Sequence, residues 1–267
     1  MRAAMHPSLD AAWLAAMNHV LRPGDRHGPI TFGVEGFEGG KPGEDPAARS
    51  VLNQFLETYR TPKGKKLVSV KATARTIFPY PHWVGRNKPP HGEFAEYVRR
   101  VVLPAMKSCR KNRHGTYIGR MIDHPVPKPP KEGGAARPFD QLAHVIERLK
   151  RPERFRTSGL EIAVYVPHLD ETKQPVLGFP CLQQVCVTYG GKDDGVQVFG
   201  VYPSQYVLDR GYGNLLGLTN LGRYLAQQSG RRFAAAACVS LSPDPSGPVT
   251  KGEARKLMAR LRPAEPV

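Results

Sequence analysis

Four cysteines stand at positions 109, 181, 186 and 238, and Cys181 directly follows Pro180 at the opening of an extended, apolar stretch. A deprotonated thiol is a strong nucleophile, so a cysteine in such a place either attacks an electrophilic carbon or serves as an inert buried side chain. Asn214 stands where a strongly apolar helical run begins, and there a carboxamide either caps the helix or offers a donor and an acceptor to a ligand. Tyr117, set between Gly115 and Gly119, reads equally as a structural tyrosine or a proton relay. No cysteine spacing fits a CxxC metal or redox pair, and four cysteines make no disulfide framework in a chain of 267 residues. Reduced thiols, no metal and a cytoplasmic location are therefore expected. Cys186 is expected in the core, on the opposite strand face from Cys181.

The elements that must position these residues show in the hydrophobic pattern. Leu9, Trp13, Leu14, Met17, Val20 and Leu21 fall at helical spacing, with Ser8 as N-cap and Pro23-Gly24 as a stop. A second helical pattern covers 47–60, and the β-branched run from Leu67 to Tyr80 reads as a strand. Residues 123–138, rich in proline and glycine, read as a long exposed, mobile loop. Leu142, Val145, Ile146 and Leu149 share one helical face, and Leu160, Ile162, Val164 and Val166 alternate as in a half-buried strand. Two more strands, 183–189 and 196–202, are joined in hairpin fashion, and the helix from Leu215 ends at Gly230. The expected class is α+β, a mixed sheet packed by helices, in a single domain over 1–267.

Thirty-nine Lys and Arg against 23 Asp and Glu give a net charge of +16, which favours phosphate-bearing ligands and leaves nucleic acid possible as a partner. The basic residues form small knots, among them Lys63 to Lys66, without the aromatic motif of an RNA-binding sheet. No apolar run approaches the ~18 residues of a membrane span, so no membrane association is expected.

The stretch from Phe139 to Gln228 resembles thymidylate synthase. The likeness rests on Asp140-Gln141-Leu142, His168-Leu169-Asp170, Pro180-Cys181 and the Asn214 helix, with weaker echoes in Asp25-Arg26-His27-Gly28 and Gly115-Thr116-Tyr117-Ile118-Gly119. In that family a thiolate adds to C6 of a pyrimidine, making C5 nucleophilic toward a one-carbon unit. The resemblance implies Cys181 as nucleophile, Tyr117 as proton relay and Asn214 as reader of a uracil-type ring. It implies Arg26, Arg154 and Arg156 as phosphate ligands, Ser204 as a further substrate-binding residue, 5,10-methylenetetrahydrofolate as donor, and a sheet-mediated homodimer.

The chain departs from the family in several places. The central phosphate arginine falls on Pro203, the next cation being Arg210, and the aspartate that holds the folate ring falls on Tyr206. Val239 to Asp244 replace the His-x-Tyr pair that reads the sugar. The N-terminal part (1–110) is divergent, and the C-terminal part (231–267) is shortened. Two functions remain open: a methylase or hydroxymethylase of a pyrimidine nucleotide, or a nucleotide- or nucleic-acid-binding protein on the same fold.

Overall fold

The computed structural model describes residues 4–23, 28–37, 40–109, 112, 115–126, 138–151, 156–171, 180–190 and 195–261. The N-terminal half runs through β1 (Ala4–His6), α1 (Leu9–Val20), β2 (Ile30–Glu35), α2 (Pro46–Thr58), α3 (Val70–Ile77), α4 (Tyr80–Val84) and α5 (His91–Tyr97). A π turn at Val98–Val102 leads into α6 (Leu103–Lys107), followed by α7 (Tyr117–Ile122) and α8 (Gln141–Lys150). Then come β3 (Glu161–Ala163), α9 (Pro167–Asp170), β4 (Gln184–Gly190) and β5 (Gly195–Tyr206). A second π turn, Val207–Gly211, opens onto α10 (Tyr212–Ser229), and β6 (Phe233–Asp244) and α11 (Lys251–Leu261) complete the described chain.

The strands form one mixed sheet in the order β1-β2-β6-β5-β4-β3. β1 runs parallel to β2 and β5 parallel to β6, while the other neighbours are antiparallel. α10 makes the crossover that parallel β5 and β6 require. The inner sheet face follows from strand alternation: Val34, Ala236, Val198 and Val187 form one row, and Phe32, Cys238, Gly200 and Val185 the next. α1 packs on β2 and α10 on β5 and β6, and the buried apolar residues form one continuous cluster.

Several expected elements stand in place. Ser8 caps α1 by accepting from the Ala11 amide, Asp140 caps α8 through the Ala143 amide, and Gly230 ends α10 at φ +73. The run expected as a strand from Leu67 to Tyr80 is instead α3. Ser69 caps it by accepting from the Ala72 amide, and Val70, Thr73, Ala74 and Ile77 share a buried helical face. That face meets α10 at Gly213 and Gly217, where a Cβ would stand 2.6 Å from Thr73 and 2.9 Å from Ile77. Tertiary packing and a good cap thus override the β-propensity of this run. Most of the expected loop at 123–138 lies outside the described residues; its ends are joined by the bridge between His124 and Phe139.

The alternating run at 160–166 buries Leu160, Ile162, Val164 and Val166, but only Glu161–Ala163 is strand. Helices α7 and α8 of the same chain lie against β3, so this face needs no partner chain to cover it. It is the other face of the central sheet that stays open, with Phe199, Val201 and Val239 half-buried and Leu241 49% exposed.

Asp140 also joins three helices. Its Oδ2 lies 3.0 Å from His91 Nε2 and accepts from Arg99 at 3.2 Å, while His91 Nδ1 lies 2.6 Å from the Tyr224 hydroxyl. Burial opposes the Asp140 charge, but His91, the Ala143 amide and Arg99 hold its pKa below the ordinary carboxylate range. Because the folded pKa is lowered, this carboxylate's stabilisation is complete above the ordinary range and is lost as pH falls through the folded value. Thermal melts across an acid pH series should therefore show a shallower acid-side loss of stability in Asp140→Asn than in the parent chain. Gly213→Ala should destabilise the fold by about 1–3 kcal/mol in denaturant unfolding, because the new methyl meets Thr73.

Candidate active site

Cys181 lies just ahead of β4 and is exposed, while the next residue, Leu182, is fully buried. Leu182 is held from below by β5. A Cβ at Gly200 would stand 3.1 Å from the Leu182 side chain and 2.7 Å from Leu218 of α10. The absent side chain at Gly200 lets the thiol-bearing segment, the sheet and α10 close on one another.

Tyr117 opens α7, whose N-cap Thr116 accepts from the Gly119 amide at 3.1 Å. Its hydroxyl faces the backbone amides of Leu182 and Cys181. Burial pushes its pKa up to about 12 and a charge on Cys181 adds to the rise, while the two amides and Arg210 pull it back. Cys181 and Tyr117, far apart in the chain, are thereby brought side by side.

The cation of this site is Arg210, from the π turn ahead of α10. Its Nε lies 3.0 Å from Asp209 Oδ2 and its Nη1 3.3 Å from Thr73 Oγ1. The surrounding protein raises the Cys181 thiol above its ordinary value, and Arg210 opposes that rise. Position 203 carries no charge, and the guanidinium enters the thiol's field from the next segment instead. The other thiols differ. Cys238 is buried and pushed up to about 12; Cys186 also reaches about 12, through burial and its neighbour Glu161. Cys186 is half-buried on the open sheet face rather than in the core, because its strand turns Val185 and Val187 inward.

Asn214 does not open its helix. Helical backbone begins at Val207, so Asn214 sits within the helix and cannot act as its N-cap. It is 4% exposed, one turn beyond Arg210 and one turn before Leu218, which packs on Gly200. Its carboxamide therefore shares the sheet-facing side of α10 with the residues around Cys181.

The expected phosphate ligands do not assemble here. Arg26 and Arg154 lie outside the described residues. Arg156 is exposed ahead of a short 3-10 turn, and Ser204 is exposed on β5 in register with Ser242.

Residues not singled out from the sequence complete the site. Tyr202 of β5 lies beside the Cys238 thiol, within the electrostatic reach of Tyr117 and Cys181, and burial holds its pKa well above the ordinary value. The Tyr202 hydroxyl, the Ser240 hydroxyl and both polar atoms of the Gln205 carboxamide are buried without a nitrogen or oxygen partner among the described residues. Tyr202 continues the inward alternation of Val196, Val198 and Gly200, so the strand pattern contained it as a core position. Gln205 carried no such signal, since burial shifts out of alternation after Ser204.

Beside Arg210, at the carboxyl ends of parallel β5 and β6, opens a cleft of about 290 Å³ bordered by Thr61, Lys65, Lys66, Tyr206, Asp209 and Gly247. The ends of parallel strands next to a crossover helix are a common place for ligands. Among the described residues no group of three His, Cys, Asp or Glu side chains could hold a metal ion, and no helix is long and apolar enough to cross a membrane.

No protein-family model matches the chain, and no curated protein does either.

Arg210→Gln should move the pH midpoint of thiol labelling at Cys181 upward, since the cation that favours the thiolate is removed. Labelling followed by peptide mass mapping checks this, and Cys238 should stay unmodified at neutral pH in the folded chain.

Proposed function

We propose that the chain is a thymidylate-synthase-like transferase that adds a one-carbon unit to C5 of a pyrimidine nucleotide of the uridine type. The observation that carries the reading is the meeting of Cys181, Tyr117 and Arg210 at one end of the sheet. The Cys181 thiolate forms a bond to C6, and the displaced electron pair moves through the ring toward O4. Asn214 donates to O4 and accepts from N3–H, which favours uracil over cytosine. Arg210 favours the thiolate before addition. Carbon C5 then forms its new bond to the one-carbon unit and gives up its proton.

Tyr117 keeps its own proton at neutral pH, so its hydroxyl lone pairs orient the water that accepts the C5 proton. Elimination of Cys181 from C6 restores the thiolate and the aromatic ring. A hydroxymethyl product takes its oxygen from water and leaves the oxidation level unchanged; a methyl product needs a hydride from the donor as well. When bound, 5,10-methylenetetrahydrofolate supplies the carbon at the oxidation level of formaldehyde. The residues present fit such a group: the pterin-binding carboxylate that Tyr206 lacks has a neighbour in Asp209, whose Oδ1 is buried without a donor among the described residues.

A homodimer through the open sheet face is part of the proposal, because Phe199, Val201, Val239 and Leu241 form an apolar strip there. Leu241→Lys should shift sedimentation equilibrium at micromolar concentration from dimer toward monomer, and a monomeric parent chain would remove this part. The second reading, a binding protein for nucleotides or nucleic acid, is favoured by the +16 charge and by a thiol raised rather than lowered from its ordinary value.

Release of tritium from C5 of uridylate tests the function and separates the two readings. The parent chain should exchange the label and Cys181→Ser should not; binding without exchange in the parent chain favours the second reading. Asn214→Asp should weaken uridylate binding by about 1–3 kcal/mol and improve cytidylate binding, as read by calorimetric titration.

A further inference from the structure

The positive charge of the chain is concentrated in one stretch. Residues 58–92 carry eight lysines and arginines and no aspartate or glutamate. None of those eight forms an ion pair among the described residues; Arg60, for one, donates to the backbone carbonyls of Glu57 and Tyr59. Several other surface cations are matched, Arg49 with Glu44, Lys150 with Glu147 and Lys256 with Glu253. Unmatched like charges repel one another, and a polyanion laid across them relieves that repulsion.

The fold sets these cations along one course. A turn in which the Thr61 amide donates to the Lys65 carbonyl at 3.0 Å presents Lys65 and Lys66, both exposed, at the rim of the cleft beside Arg210. The chain then passes into α3, which turns Val70, Thr73, Ala74 and Ile77 inward. Lys71 and Arg75, one helical turn apart, are therefore exposed on its outer face. Burial, and after it the charge of Arg75, holds the His82 imidazole below its ordinary pKa, which sets Arg75 beside α4. His82 Nδ1 lies 3.4 Å from the Tyr97 hydroxyl, and the Arg86 guanidinium stands 4.3 Å from the centre of the Tyr97 ring.

Cations at intervals suit a phosphate backbone, and the planar groups at the far end narrow the partner. The Tyr97 ring stacks on Phe94, the guanidinium of Arg86 lies over Tyr97, and Arg86 is exposed. A guanidinium plane stacks on a nucleobase, and only an unpaired base has a face to offer it. The course ends where Glu93 and Glu96 border the groove beside Arg86 and Tyr97, because carboxylates repel a phosphate chain.

We infer that the course from Lys65 over α3 to Arg86 is a track for single-stranded nucleic acid, with Lys65, Lys66, Lys71 and Arg75 on the phosphates and a base stacked on Arg86. The inference does not rest on the transferase reading, since none of these residues belongs to the Cys181 site. It gives the nucleic-acid reading a surface and a strandedness.

Fluorescence anisotropy with a labelled oligoadenylate of about twenty nucleotides, longer than the ~4–16 that one such surface covers, tests the track. Its purines keep it apart from the pyrimidine site. The parent chain should bind it about tenfold or more tightly than the duplex formed with its complement. Log affinity should fall against log salt concentration with a slope of about −3, as four neutralised phosphates at ~0.7 each give. Lys71→Gln with Arg75→Gln should weaken binding about tenfold and flatten the slope by about 1.4. Lys41→Gln with Lys150→Gln makes the same change in net charge outside the track and should alter affinity by less than about twofold. Arg86→Lys keeps the charge but removes the plane, and should weaken binding about threefold at an unchanged slope. Equal binding of the duplex, equal effects of the two double variants, or unchanged affinity in Arg86→Lys would each overturn the inference. Displacement by uridylate would overturn it as well, because the strand would then occupy the nucleotide site. Binding is read without turnover, so loss of tritium exchange leaves the track standing and loss of oligoadenylate binding leaves the exchange chemistry standing.

Discussion

The arrangement depends on how closely α10 can approach its neighbours. This helix is the crossover between two adjacent parallel strands and is buried between the sheet and α3. Close approach is possible because Gly200 on the sheet and Gly213 and Gly217 on the helix carry no side chain where the elements meet. Everything with chemistry is indexed to that contact. Thr73 of α3 reaches Arg210, Leu218 fixes the height of the helix over β5, and Leu182 beside it fixes the Cys181 segment. A larger side chain at any of the three glycines would part surfaces that hold the thiol, the cation and the amide in one place.

The electrostatics of the thiol are a contest between burial and one cation. Although the residue is exposed, desolvation of its sulfur by the surrounding protein is the larger effect, and Arg210 only moderates it. Arg210 is itself tied to Asp209, so its field at Cys181 is that of a partly compensated charge. The tyrosines act on the same scale. Tyr117 and Tyr202 are both held protonated by burial, and each lies in the electrostatic field of Cys181.

Much of the scaffold was legible in the residues, and the reasons are physical. α1, α8 and the end of α10 were marked by side chains that perform a local task, namely Ser8, Asp140 and Gly230. The paired strands β4 and β5 were marked by alternation. The run from Leu67 to Tyr80 misled because β-branched residues report a preference worth tenths of a kcal/mol, whereas its apolar spacing and the Ser69 cap are settled by packing on α10. The start of the last long helix was hidden for a related reason. Val207 to Gly211 adopt a π turn, a form with no sequence period to follow, and the turn carries Asp209 and Arg210 into the site. Cys181, Tyr117 and Asn214 were singled out by the resemblance of the segments that carry them. Tyr202, Gln205 and Asp209 carried no such signal, since what distinguishes them is a buried polar atom without a nitrogen or oxygen partner among the described residues, which only the fold reveals.

The place of β6 has a consequence for how the chain reaches its native state. This strand, residues 233–244, lies between β2 from the N-terminal part and β5, and among the described residues no other strand joins the two halves of the sheet. Until it is in position, β2 and β5 each present an unpaired edge, one with β1 alone beside it and the other with β4 and β3. The pairing of Ile30 with Ser240 closes a loop of more than two hundred residues, a contact of high sequence separation that slows folding. During synthesis the partial sheets must wait for the C-terminal region to emerge, with their edges open to neighbouring chains throughout. The strand that carries Cys238 and Ser240 into the site is thus also the one whose late arrival governs when the sheet becomes safe from misassembly.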